Sequence, residues 1–479
     1  MKTPILGSTY VARSVNAADA RMVNLFPEIV SEAGKEPAFL NRAPGLKFLN
    51  TIGTGPIRGL WAFSPQDGVG FVVSGTQLYK ISNAYEYVLI GTVSGTGPVS
   101  MADNGTQLFI AANGPSYIYN NTTGGFGQIT DPDFPGAVTV CYLDGYFVFN
   151  EPNSQKMWIT ALLDGTSIDP LEFASTEGSP DGLVAVASNF REVWAFGTNS
   201  IEVWYDSGAT DFPLQRIQGA FNELGCAAPY SVAKMDNGLF WLGRDRRGQG
   251  IVYRANGYTG VRISTHAVEW QIQQYSDLTD AIGYTYQQDG HSFYVLVFPS
   301  ANTTWVYDAA TQAWHERAGF SDGQFTRHRG NCQMAFNNQI VIGDYQNGNI
   351  YAFDLDDFSD NGGIQKWLRS WRALPTGTNT LRRTTQHTLQ LDCESGVGLN
   401  LGQGEEPQVM LRFSDDGGHT WSHEHWKSMG KIGEYYKRVI WRRLGMTVKL
   451  RDRVYELSGT DPVKITIMGA ELILSPTNA

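Results

Sequence analysis

Cysteine is scarce: four in 479 residues, at positions 141, 226, 332 and 393, with no CxxC and no Cys/His cluster. That excludes a disulfide scaffold and a zinc ribbon, and reads as four buried thiols in a reducing compartment. Charge is thin as well. Charged residues make up 17% of the chain and the net charge is −11. A protein that wraps the phosphate backbone needs dense Lys and Arg for counterion release, so that class is disfavoured. No run of about 18 apolar residues exists, and no transmembrane helix is expected. The start, Met1-Lys2-Thr3-Pro4-Ile5-Leu6-Gly7-Ser8, has a basic residue but no apolar core of a secretory signal. The expectation is a chain made in the cytoplasm that stays soluble or joins a soluble assembly. HExxH, GxSxG and Walker sequences are all missing.

What is present points to β-structure. There are 53 glycines, 22 tyrosines, 24 phenylalanines and 13 tryptophans, a balance of tight turns and cross-strand aromatic packing. The length predicts two or three units. An internal repeat runs through the first three quarters. Each copy is an aromatic-rich strand, a small polar turn and a second strand ending in an aromatic. The first strands begin at Phe71, Gln107, Tyr146, Glu192, Leu239, Phe293 and Gln339; the second at Leu78, Tyr117, Met157, Ile201, Ile251, Thr304 and Ile350. Spacings of about 40 to about 54 residues are those of four-stranded propeller blades.

The fold read from this pattern is all-β: a six- or seven-bladed β-propeller with an extended N-terminal arm and a C-terminal β-sandwich. The count stays open because the fourth and sixth copies carry insertions. A solenoid or two separate sandwiches is the alternative. The seventh copy lacks an outer strand, and Pro44-Gly45-Leu46-Lys47-Phe48-Leu49-Asn50 is expected to supply it, closing the ring and removing an exposed edge. The units are then an arm over 1–43, a propeller over 44–364 and a sandwich over 365–479. Ser264 to Tyr275 has a capping residue and apolar positions 268, 272 and 275, which predicts a helix on the rim.

The sharpest local motif is Ser414-Asp415-Asp416-Gly417-Gly418-His419-Thr420-Trp421, the Asp-box pattern S-x-D-x-G-x-T-W. Ser414, Asp416, Gly418, Thr420 and Trp421 are read as a structural turn, with the carboxylate accepting backbone N–H groups across a hairpin. The box also occurs in sialidases. Here it occurs once, outside the repeats, without an arginine cluster. Glycoside hydrolysis needs two carboxylates roughly 5 to 9 Å apart. Glu151, Asp206, Asp245, Asp289 and Asp344 sit in loops with nothing pairing them, so they read as turn residues. His419, His423 and His425 beside Asp415, Asp416 and Glu424 read as a polar loop rather than a metal site. No catalytic residue, cofactor or metal ligand is assigned.

Two basic stretches remain. Lys366, Arg369, Arg372, Arg382 and Arg383 fall between propeller and sandwich. Lys437, Arg438, Arg442, Arg443, Lys449, Arg451 and Arg453 alternate with apolar residues like the exposed face of strands. Of the second stretch, Lys437, Arg438, Arg442, Arg443, Arg451 and Arg453 are the candidate subunit-contact residues, with DNA as the alternative partner.

Several segments then carry a family resemblance. They are Asn16-Ala17-Ala18-Asp19-Ala20-Arg21-Met22-Val23-Asn24-Leu25-Phe26-Pro27-Glu28, Gly248-Gln249-Gly250-Ile251-Val252-Tyr253-Arg254, Arg262-Ile263-Ser264-Thr265-His266, Trp314-His315-Glu316-Arg317, Arg412-Phe413-Ser414-Asp415-Asp416 and Asp461-Pro462-Val463-Lys464-Ile465. In this order, and over nearly the whole chain, they resemble the packaged-DNA stabilisation proteins of short-tailed phages, also called tail hubs or tail nozzles. The resemblance implies a virion tail protein without catalytic residues, assembled in the host cytoplasm. It implies a homo-hexameric ring docked below the portal–adaptor complex that closes the DNA exit channel after packaging. It also implies that the ring anchors the tail needle and tailspikes or fibres, with DNA passing through without specific binding and no membrane insertion. The acidic balance suits a conduit that must release its cargo. The competing reading is a carbohydrate-binding or glycan-degrading propeller.

Overall fold

The computed structural model describes every residue except 16, 31, 33, 64–67, 177, 180, 211, 379–381, 449–452, 478 and 479. Among the described residues there are seven antiparallel sheets of the blade type. Blade 1 runs Ile57–Ala62, Gly70–Ser74, Gln77–Ile81, Tyr87–Thr92, and blade 2 runs Ser100–Asp103, Gln107–Ala111, Ser116–Asn120, Phe126–Gln128. Blade 3 begins at Val140–Leu143 and ends at Phe173–Ser175; blade 4 begins at Leu183–Asn189 and ends at Leu214–Asn222. In blade 5 the inner position is shared by Gly225–Cys226 and Ala233–Met235, split by a 3-10 turn that starts at Pro229. Proline has no N–H for the ladder, so the strand breaks there. Blade 6 spans Ile282–Gln288 to Ala313–Glu316.

Blade 7 takes three strands from Gly330–Phe336, Gln339–Asp344 and Asn349–Asp354, and its fourth from Gly45–Thr51. The register is Leu46↔Phe353, Lys47↔Ala352 and Phe48↔Tyr351. Joining a strand from the start of the propeller to one from its end ties the ring shut.

The blades adhere through the aromatics of their first three strands, most of them in the second. Phe71 meets Tyr119 at 5.0 Å between centroids, Phe109 meets Phe147 at 5.4 Å, Phe240 meets Tyr294 at 5.4 Å and Tyr286 meets Phe353 at 4.8 Å. Each such pair adds roughly 0.5–1.5 kcal/mol beyond the area it buries. The helix His266–Gln273 lies between blades 5 and 6, capped by Thr265, whose hydroxyl accepts from the Val268 N–H. Its Val268 and Ile272 are buried in the core shared by those blades.

The sandwich has two sheets. One orders Val439–Met446, Thr384–Cys393, Thr466–Pro476, Ala38–Arg42 and Leu25–Ile29, with Lys2–Thr3 also paired to Thr466–Pro476. The other orders Met22–Val23, Trp367–Arg372, Val454–Gly459, Gln408–Ser414 and His425–Ser428. Their shared core holds Trp367, Trp371, Leu389, Trp441, Tyr455 and Leu457, together with Ile5, Met22, Leu25 and Leu40 from the arm. The arm is therefore extended but does not hang free: it supplies strands to both sheets. Met22–Val23 also pairs with Ala313–Glu316 of blade 6, so one nine-stranded sheet runs from the propeller into the sandwich.

Candidate functional site at the propeller–sandwich junction

The junction is built from three arm residues whose polar groups have partners in both domains, Arg21, Asn24 and Arg42, and from the ring of Phe26. Arg21 forms a two-pronged ion pair with Glu316 of blade 6, both bonds 2.8 Å. The backbone of Arg21 exchanges bonds with Ser370 of the sandwich, 2.9 Å each way. Glu316, more than burial can oppose, holds the Arg21 guanidinium above its ordinary value. Asn24 sits at φ 52°, a left-handed conformation that asparagine tolerates. There its amide donates to the carbonyls of Ala318 and Lys366, both 2.8 Å, and accepts from the Ala318 N–H. Phe26 packs edge-on against His291 and Phe293 of blade 6, at 5.1 and 5.5 Å.

Arg42 is buried as well. Its guanidinium donates to the carbonyls of Phe358, Gln365, Asp461 and Val463 and to the Gln365 side chain. These acceptors come from the end of the propeller and from the sandwich loop 460–465. They are dipoles rather than full charges, so burial pushes Arg42 down to about 9 despite Asp461 and Asp357. Sequence reading did not single out Arg42 or Asn24. The available signal was a polar residue set among apolar ones, Asn24 between Met22–Val23 and Leu25–Ile29 and Arg42 at the end of Ala38–Arg42.

The Asp-box folds as a closed turn. The Asp416 carboxylate accepts from the Thr420 N–H at 2.8 Å, the Thr420 hydroxyl at 2.6 Å and the Ser414 hydroxyl at 2.7 Å. The Ser414 oxygen in turn accepts the Gly418 N–H at 2.8 Å. These bonds, the Thr420 hydroxyl foremost, hold Asp416 well below the usual carboxylate range. Gly418 sits at φ 100°, and a Cβ there would meet the Asp19 carboxylate at 2.6 Å. Trp421 lies under the Arg412 guanidinium, 5.1 Å from ring centre to Cζ. The bonds of the box thus close the turn upon itself.

The basic residues divide. Arg438, Arg442 and Arg443 are exposed, and Lys437 is half-exposed and 3.6 Å from Glu434. Arg453 is a correction: its side chain is fully buried, paired to Asp415 at 2.7 and 2.8 Å, and lies over the Phe413 ring. The strand Val454–Gly459 is central and covered on both faces, so polar alternation at its start does not mean exposure. Arg369 is likewise buried, donating to the Ile5 carbonyl at 2.6 Å. Arg451, Lys449 and Asn16 lie outside the described residues.

The other candidates are engaged or separate. Glu151 accepts from Trp158, Asp245 from the Arg247 and Gly248 N–H groups, Asp206 from the Gly208 N–H and Asp344 from Tyr351. With Asp289 they belong to five different blades. The axial cavity, about 380 Å³, is lined by the inner strands of all seven blades. Its charged lining residues are Arg58 and Lys234, with no carboxylate. Arg58 is itself saturated by the carbonyls of Gly75, Val93, Ser94 and Gly97. His423 and His425 lie 4.3 Å apart with their rings tilted by 49°, while Asp415 and Asp416 are already taken by Arg453 and Thr420. No group of three metal-ligating side chains occurs among the described residues.

The class of protein this fold defines is a seven-bladed propeller joined by a continuous sheet to a sandwich. Family models described as "Bacteriophage P22 Gp10, beta-propeller" and "Bacteriophage P22 Gp10, beta-sandwich" match residues 1–357 and 366–474. The chain belongs to that family, and it is a structural protein of a phage tail, not an enzyme. Among individual relatives, the tail hub protein gp10 of Salmonella phage P22 is 22% identical over 466 residues, spanning 93% of each chain. Solved structures with some likeness include virginiamycin B lyase from Staphylococcus aureus, at TM-score 0.44 and 12% identity over 64% of this chain and 98% of its own. Another is the Pan2 WD40 domain of Neurospora crassa, at 0.41 and 10% identity over 62% and 89%. Likeness at that level says nothing of function.

Proposed function

We propose that the chain is a tail hub. Copies assemble in the host cytoplasm into a closed homo-hexameric ring below the portal–adaptor complex. The ring closes the DNA exit channel after packaging and anchors the tail needle and the tailspikes or fibres. DNA crosses the ring without sequence-specific contact, as the net charge of −11 favours. Arm (1–43), propeller (44–364) and sandwich (365–479) act as one rigid block. Lys437, Arg438, Arg442 and Arg443 serve contacts between subunits, and the Asp-box serves the turn alone.

The observation that carries this reading is the correspondence of both modules, along 93% of each chain, with the P22 tail hub. The junction supports it. A plug under the pressure of packaged DNA must transmit load without hinging, and a sheet continuous from blade 6 into the sandwich does so. Phage particles made without this chain provide the test. Filled heads are expected to lose their DNA, and adding the purified protein before release should retain it. Heads that hold their DNA equally well without the chain would refute the plug.

A further inference from the structure

Loops 395–406 and 429–438 close one end of the sandwich. The Gly433 N–H donates to the Gly396 carbonyl at 3.1 Å, the Ser395 hydroxyl to the Tyr435 carbonyl at 2.9 Å, and Lys431 pairs with Glu405 at 2.9 Å. This tied tip holds Tyr435 and Tyr436 out at 74% and 85% exposure, beside exposed Ile432 and Leu401. Arg438, Arg442 and Arg443 continue the surface, exposed and without a carboxylate partner among the described residues. Aromatic anchors ringed by arginine are the composition of an interface core.

A second patch lies on blades 3 and 4. The first hairpin turn of blades 3, 5, 6 and 7 is Asp144-Gly145, Asp236-Asn237, Asp289-Gly290 and Asn337-Asn338, all at positive φ. These are the residues a type I′ turn favours. Blade 4 puts Phe190 and Arg191 there instead, at φ 53° and 67°. Bulky side chains are strained in that region, and Phe190 is 64% exposed, so the blade gains no burial from it. Arg191 reaches Asp144 of blade 3 at 2.9 Å, and the Leu163 N–H bonds the Gly145 carbonyl at 2.8 Å. The same loop exposes Leu162, Leu163 and Leu171. Acids surround it: Asp169 is exposed, and burial followed by the charges of Asp206 and Glu172 keeps the Tyr146 phenol above its ordinary value.

The two patches lie on different parts of the chain, one at the end of the sandwich and the other on blades 3 and 4. The sandwich extends from the outer edge of blade 6, and in a ring of seven no blade is farther from blade 6 than blade 3. They are also complementary. Residues 366–479 hold 16 Lys and Arg against 12 Asp and Glu, while residues 1–365 hold 20 against 35. We propose that the tyrosine tip of one copy docks on the Phe190–leucine patch of a second copy, its arginines facing Asp169, Glu172 and Asp206. Two different surfaces on opposite flanks make a head-to-tail contact, which closes when repeated around a ring. This assignment rests on the ring reading above and names its surfaces.

Two measurements on the full chain, assembled on its neck complex, test it. A photo-reactive residue in place of Tyr436 should cross-link to residues 160–172 or 190 of another copy. The double variant Phe190→Asn with Arg191→Gly installs a relaxed turn. It should leave the isolated chain at least as stable as wild type and abolish ring closure. A wild-type chain that forms no ring overturns the ring reading itself. A ring that forms with position 436 joined elsewhere, to another tail protein or to DNA, overturns the pairing alone, as does a ring that survives the double variant.

Discussion

Replacing Arg42 by methionine removes every donor from the carbonyl cage while keeping the volume of the stem. The carbonyls of Phe358, Gln365 and Val463 and the Gln365 side-chain oxygen are then buried without a partner among the described residues, while the Asp461 carbonyl keeps the Val463 N–H. At about 1–3 kcal/mol for each orphaned acceptor the loss is roughly 4 to 12 kcal/mol before relaxation. Relief from burying a charge returns part of it, which favours the lower end, about 4 kcal/mol. Unfolding entropy of about 2.1 cal/mol/K per residue gives about 1 kcal/mol/K for a chain this long, so Tm should fall by about 4 °C. Because the acceptors come from both domains, calorimetry should also resolve a sandwich transition separate from the propeller. Arg42→Lys should recover less than half, since an ammonium has three donors and no planar fork. A methionine variant with unchanged Tm and a single unchanged transition would refute the cage as the tie between domains.

Three further outcomes follow from the geometry. Burial, with Arg317 next, holds His315 and His328 below their ordinary value, His328 down to about 3. The unfolded chain takes up those protons near pH 6.5 and the folded chain does not, so stability should fall as pH drops below about 6.5. His291, raised through its 2.8 Å bond to Asp308, works the other way: its contribution is full below that pH and is lost as pH rises through its raised value. His328→Gln should flatten the acid limb of a Tm-against-pH curve. Asp416, held low by Thr420 and Ser414, should stay ionised in carbon-detected NMR well below the usual carboxylate range, and its turn should loosen only under stronger acid. Gly45→Val would drive its Cβ to 2.3 Å from the Asp357 carbonyl and so open the closing strand of blade 7, seen as aggregation or a lowered Tm.

The propeller was legible because its order is local. Each blade pairs neighbours in sequence, and the aromatic strand, polar turn and second strand recur at positions such as Phe71, Gln107 and Glu192 that all fall in second strands. The blade count settled at seven once the insertions near Asp206 and Ile263 resolved as a long outer strand and a helix. The weave of the arm was not legible. Lys2–Thr3 pairs with residues 470 and 471, and Val23 lies between Glu316 and Leu368, contacts set by packing across hundreds of residues. The resemblance around Arg21 and Asn24 marked the right segment without saying what it holds. Arg453 was misread for a physical reason: alternation predicts exposure only in a strand with one wet face, and its strand has none.

If the chain works as a ring on the phage neck, its copies must close there into one particle. The mass of the purified protein, alone and with its neck partner, tests it most directly by native mass spectrometry. The 52.9 kDa chain is expected to close into a ring of six copies on the partner. A chain that stays monomeric with every neck component, or that instead binds a glycan, would contradict it.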